Sequence, residues 1–224
     1  MTPDLRAAQQ AAGLPGTSFD ERLSATGAQE QALYGPLLTA LTSGGSAPEL
    51  ATASAAAGLT QTQGHTALHR LAAVDLVALD GEGGLVGVFP LSVGPSRHVV
   101  RLADGRTLHA MCAVDALGVP AMLGLPAVVT STDPTTGTTI TISVSDRGVL
   151  ADPVGTAVLV ARQGEGSLAS ACCRVIDFYV DERASRAVLD SPGLNGAVLT
   201  LPNAHALGVA LFAHLPGKQR IRRP

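Results

Sequence analysis

The longest apolar run in the chain, residues 108–129, limits the available folds more than any other feature. It is long enough for a membrane span, but Asp115 lies inside it, and Gly118, Pro120, Gly124 and Pro126 interrupt it. An ionised carboxylate in hydrocarbon is expensive, and two prolines break the helix that would have to cross. The run therefore reads as the buried central segment of a soluble protein. Covering such a segment takes a large body of chain, and 224 residues at 46% hydrophobic and 15% charged are enough to do so. That composition is incompatible with general disorder. The 18 acidic and 15 basic residues leave a net charge of −3, a poor basis for nucleic-acid binding. Three cysteines cannot pair completely, which excludes a disulfide-stapled secreted scaffold. The opening MTPDLRAAQQAAGLPG has neither the basic leader nor the apolar core of a secretory signal. A cytoplasmic protein without membrane or nucleic-acid partners is the expectation.

The fold class expected is α+β, with a three-helix, winged-helix-like N-terminal domain before a mixed or antiparallel sheet domain with flanking helices. Residues 1–28 have no firm period and read as a loose extension. Residues 29–92 read as the helical domain. Leu33, Leu37, Leu38 and Leu41 have helical spacing, a short second helix follows Pro48, and Thr60 opens a third carrying Leu68, Leu71 and Leu76. Two apolar runs around Asp80-Gly81-Glu82-Gly83-Gly84 then form a hairpin. This outline suits DNA binding, but the third helix carries one permanent cation, Arg70, beside His65 and His69. A duplex reader needs several phosphate contacts, so packing against a neighbouring domain is the better reading. Residues 93–224 read as an α+β catalytic domain. Strands are expected at 98–102, 107–110, 127–132, 138–144, 156–162, 173–180 and 197–200, and helices at 113–123, 184–190 and 202–214. Lys218, Arg220, Arg222 and Arg223 make a basic tail.

Two groups of residues can carry chemistry. In Cys112-Ala113-Val114-Asp115, a helix places thiol and carboxyl on one face. Among Met111, Val114, Ala116, Leu117 and Val119, a buried carboxyl has a raised pKa and can both accept and return a proton. It can also act as the base that makes a thiolate. The alternative is a small packing thiol beside a helix-capping aspartate. The second group is Ser170-Ala171-Cys172-Cys173-Arg174. Read as part of a strand, it turns its two thiols to opposite faces, so that only one can serve a given site; the alternative is that both pack. No CxxC, HExxH or Cys/His quartet marks a zinc site, and no glycine-rich phosphate loop is present. Soft, thiol-based chemistry remains, suited to ions such as Hg(II), Cu(I) or Zn(II).

Residues 106–117, with Pro120-Ala121-Met122-Leu123-Gly124 after them, resemble the core of the organomercurial (alkylmercury) lyase family. Ser170-Ala171-Cys172-Cys173 is similar to that family's second cysteine motif. Gly193-Leu194-Asn195-Gly196-Ala197 and His205-Ala206-Leu207-Gly208, with Phe212 and His214, are similar to its C-terminal segment. The resemblance covers residues 33–215. It implies cofactor-independent protonolysis of a carbon–mercury bond, with Cys112, Asp115 and Cys172 as catalytic residues. Cys112 and Cys172 would hold the mercury of substrate and product, and Cys173 would be a bystander. It also implies an organomercurial substrate and hand-over of Hg(II) to low-molecular-weight thiols or a mercuric reductase. Two alternatives use the same residues: a non-catalytic soft-metal binder or sensor, and a lyase-fold homologue acting on another organometal or a metabolite.

Overall fold

The computed structural model describes residues 3–44 and 46–216. Five helices come first: α1 (Pro3–Ala11), α2 (Phe19–Ser24), α3 (Ala28–Thr42), α4 (Leu50–Ala56) and α5 (Gln61–Ala73). Thr60 starts α5 through a capping box, its hydroxyl accepting from the Gln63 N–H while the Gln63 side chain accepts from the Thr60 N–H. Five short strands follow: β1 (Val77–Leu79), β2 (Leu85–Val88), β3 (Leu91–Ser92), β4 (His98–Leu102) and β5 (Thr107–Ala110). Then come α6 (Ala113–Leu123), β6 (Ala127–Thr132), β7 (Thr139–Ser145), β8 (Gly148–Asp152) and β9 (Ala157–Gln163). A π-helical turn over Leu168–Cys172 leads to β10 (Asp177–Tyr179), α7 (Glu182–Leu189), β11 (Leu194–Thr200) and α8 (Leu201–Phe212).

The strands form two antiparallel sheets, one ordered β1-β2-β3-β5-β4-β6-β7-β8 and one ordered β10-β9-β11. In β6, buried and exposed positions alternate strictly, the period expected of a strand with one face on a core. Helix α6 packs on both sheets and on α8. Apart from Asp115 it is apolar all round, and it is buried at every position but Ala121, as a helix without a wet face must be. This accounts for the long apolar run. Gly118 of α6 meets Gly208 of α8 so closely that a Cβ on Gly208 would stand 2.7 Å from the Val114 carbonyl oxygen. Among the described residues no helix is long and apolar enough to cross a membrane.

Three expectations change. The first 28 residues are not a loose extension: they carry α1 and α2, with Leu5, Ala8, Ala12, Phe19 and Leu23 buried. The three helices and hairpin are present at 28–88, but the hairpin does not stand apart as a wing. Through β3 it continues into the sheet of the second half, so hydrogen bonding crosses the expected boundary at residue 92. The buried Tyr34 hydroxyl, donating to the Phe89 carbonyl at 2.7 Å, ties α3 to the same junction. Finally, the strand expected at 173–180 is confined to 177–179, because the preceding residues close into the π-helical turn. The basic tail lies outside the described residues.

Candidate active site

Cys112 is the N-cap residue of α6, with extended backbone (φ −151°, ψ 179°), and Asp115 sits in the first turn. The Ala113 N–H donates to the Ile176 carbonyl at 3.2 Å, which holds the segment after the vicinal cysteines against the start of the helix. The π-helical turn begins at Ser167, whose hydroxyl accepts from the Ser170 N–H, and closes where the Cys173 N–H donates to the Leu168 carbonyl at 2.9 Å. Asp75 fixes the turn from outside by accepting from the Leu168 N–H at 2.8 Å. A thiol, a carboxylate oxygen and a second thiol, from Cys112, Asp115 and Cys173, thereby lie within 4.8 Å of one another. The Cys173 thiol points at Asp115 Oδ2, 3.8 Å away.

Cys172, expected to complete the trio, faces elsewhere. Its sulfur lies 3.5 Å from the Ala12 carbonyl oxygen and accepts from Arg162 Nη1 at 3.5 Å. The two thiols do diverge, as the sequence reading expected, but Cys173 is the one beside Cys112. In a tight turn the direction of each side chain follows the local winding, which strand alternation does not describe.

Burial governs the electrostatics. It raises Asp115 to about 7, against hydrogen bonds from Cys112 and Cys173 that favour the carboxylate. Burial also lifts Cys112 well above the ordinary thiol range. For Cys173 the hydrogen bond with Cys112 favours the thiolate, but burial and the Asp115 charge outweigh it and push the thiol up to about 11. Near neutral pH the site therefore holds two protonated thiols around a carboxyl poised to gain or lose a proton.

The enclosing wall is apolar. Phe19 packs on Phe89 and Phe212 at centroid separations of 5.3 and 4.6 Å, and Leu14 and Pro15 complete the cover. The remaining cavity is about 20 Å³, room for one water at most. The N-terminal contribution was missed at the sequence level, although a signal was there. Ser18-Phe19-Asp20-Glu21 has capping-box spacing, and the Ser18 N–H donates to Glu21 Oε2 at 2.9 Å. Behind the site, buried His98 bridges Ser131 Oγ (3.0 Å from Nδ1) and Asp177 Oδ1 (3.2 Å from Nε2), joining β4, β6 and β10.

With this geometry in place, the relatives are informative. The alkylmercury lyase family model matches residues 91–213, which include Cys112, Asp115 and both vicinal cysteines. The alkylmercury lyase of Pseudomonas putida is 34% identical over 138 residues, 60% of this chain and 63% of that protein. That of Streptomyces lividans is 32% identical over 129 residues, 57% of this chain and 59% of that protein. That of Bacillus cereus is 32% identical over 135 residues, covering 59% and 60%. The chain thus spans just under two thirds of the length of the curated relatives it matches. The crystal structure of the mercury-bound form of MerB2 shares the fold, with a TM-score of 0.70 at 22% identity over 85% of this chain and 93% of that one. With that family model matching more than half of its residues, the chain belongs to the alkylmercury lyase family.

Proposed function

We propose that the protein cleaves the carbon–mercury bond of organomercurials by protonolysis, releasing a hydrocarbon and Hg(II). The observation that carries this reading is Asp115, a buried carboxyl near its titration midpoint at neutral pH, set between two thiols beside a small apolar-walled cavity. The substrate arrives as R–Hg–SR′. The Cys112 sulfur displaces R′S⁻, which leaves as R′SH with the Cys112 proton. Cys173 then adds a second sulfur and gives its proton to Asp115. Two electron-rich sulfurs load charge onto mercury and weaken its bond to carbon. Asp115 delivers the proton to the carbon as the bond breaks, R–H departs, and Hg(II) remains between two thiolates. No redox step and no cofactor is required. Exclusion of bulk water keeps the proton on the carboxyl until carbon takes it.

The family resemblance marks Cys172 for the second sulfur; the distances favour Cys173. Single serine variants separate the two. With phenylmercury and excess thiol, benzene release is expected to collapse in Cys112→Ser and Cys173→Ser and to persist in Cys172→Ser. The reverse pattern would transfer the role to Cys172. Asp115→Ala is expected to abolish benzene release while Hg(II) binding survives. A wild-type protein, folded and reduced, that retains mercury but releases no hydrocarbon would be a binder or sensor instead.

A further inference from the structure

Cys173 borders a second, larger space besides the small cavity between the thiols. An open cleft of about 370 Å³ includes Cys173 in its lining, together with Arg97, His98, Met111 and Arg174. Cys112 lines only the small cavity and Cys172 lines neither space, whereas Cys173 lines both, with its sulfur turned inward to Asp115, so it is the residue that joins the two. The cleft carries positive charge. Arg97 lies 3.2 Å from Asp177 Oδ2 yet keeps 43% of its side chain exposed. Arg174 is exposed and, among the described residues, has no ion pair or side-chain hydrogen bond. Two guanidinium groups against the one Asp177 carboxylate leave an unmatched cation beside a soft-metal ligand.

Hg(II) held by two thiolates leaves by exchange with incoming thiolates, which need an approach to the metal larger than the roughly 20 Å³ between the thiols. The cleft provides one. We propose that it is the docking site of the mercury acceptor, a small thiol bearing a carboxylate. Arg174, with Arg97 beside it, holds the carboxylate while the thiolate attacks mercury from the Cys173 side. This rests on the lyase reading above. One Hg–S bond to the acceptor forms as the Hg–S bond to Cys173 breaks, and the released Cys173 thiolate takes the proton the acceptor lost. A second exchange frees Cys112. The sum is two acceptor thiols consumed, Hg(SR′)₂ released and both cysteines returned as thiols, with no change of oxidation state.

The test uses the full-length protein loaded with one equivalent of HgCl₂. Transfer is followed to N-acetylcysteine and to N-acetylcysteine amide, which differ in the carboxylate, with rates expressed per thiolate. The expected preference for the acid is roughly three- to tenfold at low salt, the scale of one or two exposed charge-assisted contacts. It should shrink at high salt, approach unity in Arg174→Glu and return in Arg174→Lys. Equal rates for the two thiols in the wild type, or an undiminished preference in Arg174→Glu, would overturn the proposal. Benzene release from phenylmercury is scored on the same preparations. Loss of hydrocarbon release with selective transfer intact would refute the lyase reading and leave the cleft standing. A protein that retains no Hg(II) would overturn both.

Discussion

Replacing Asp115 with asparagine is expected to remove a loss of stability that the wild type suffers as pH rises from about 4 to about 7, and to abolish activity. The folded carboxyl titrates at about 7, against an ordinary value of 3.8. The native state therefore keeps a proton that the unfolded chain releases across this window. Stability from this group is complete below about pH 4 and is lost as pH rises to about 7. The slope is about 1.4 kcal/mol per pH unit, or roughly 4 kcal/mol over three units. A carboxamide cannot ionise, so the Asp115→Asn variant lacks this loss. The packing and hydrogen-bonding differences of the amide shift the variant's curve by a constant that does not depend on pH. Urea unfolding of the reduced, metal-free proteins at a series of pH values measures the effect. The midpoint of Asp115→Asn should gain on the wild type steadily between pH 4 and 7 and hold that gain at higher pH, with no change in m-value. Stability curves that stay parallel to within about 1 kcal/mol would refute the burial argument, and with it the claim that Asp115 can store a proton at neutral pH.

The same titration predicts activity. If Asp115 must be ionised to receive the Cys173 proton, kcat/KM for phenylmercury should rise with pH to a plateau above about 7; a profile flat from pH 5 to 8 would contradict it. Gly208→Ala puts a Cβ 2.7 Å from the Val114 carbonyl and 2.9 Å from the Gly118 nitrogen. Backbone on both sides cannot yield, so α8 must shift, with a loss on the order of 1–3 kcal/mol by chemical denaturation. Phe212 shifts with it, and hydrocarbon release should fall as well. Tyr34→Phe removes the hydroxyl that satisfies the buried Phe89 carbonyl. A loss of about 1–3 kcal/mol is expected in thermal melts, with little change in turnover.

Legibility in the sequence followed the range of the interactions involved. Helix α6 was expected at its observed limits, and Gly124, in the left-handed conformation at its C-cap, ends it there. Strand β6 was expected at its observed limits as one of two strands around the turn at 133–137, and its buried and exposed positions alternate accordingly. Residues 173–176 were misread as strand because their local sequence supports either a strand or the end of a turn. The choice is made by long-range hydrogen bonds, from Leu168 to Asp75 and from Ala113 to Ile176. The first 28 residues were undervalued because few of their apolar side chains share a period, although those few bury fully against the rest of the chain.

By itself the sequence set a thiol and a carboxyl three residues apart in an apolar run, which a helix start brings to one side, since spacing and apolar surround are properties of the chain alone. For the vicinal pair, a strand reading expected one thiol at that site and the other turned away, with both packing as the alternative. Tertiary structure decided which thiol. The winding of a turn fixed from outside by Asp75 sets Cys173 against Asp115 and Cys172 against Arg162. Tertiary structure also decided the pKa of Asp115, because desolvation depends on what closes over the site. Here the cover comes from Phe19, Phe89 and Phe212, residues far apart in the chain that only folding brings into contact.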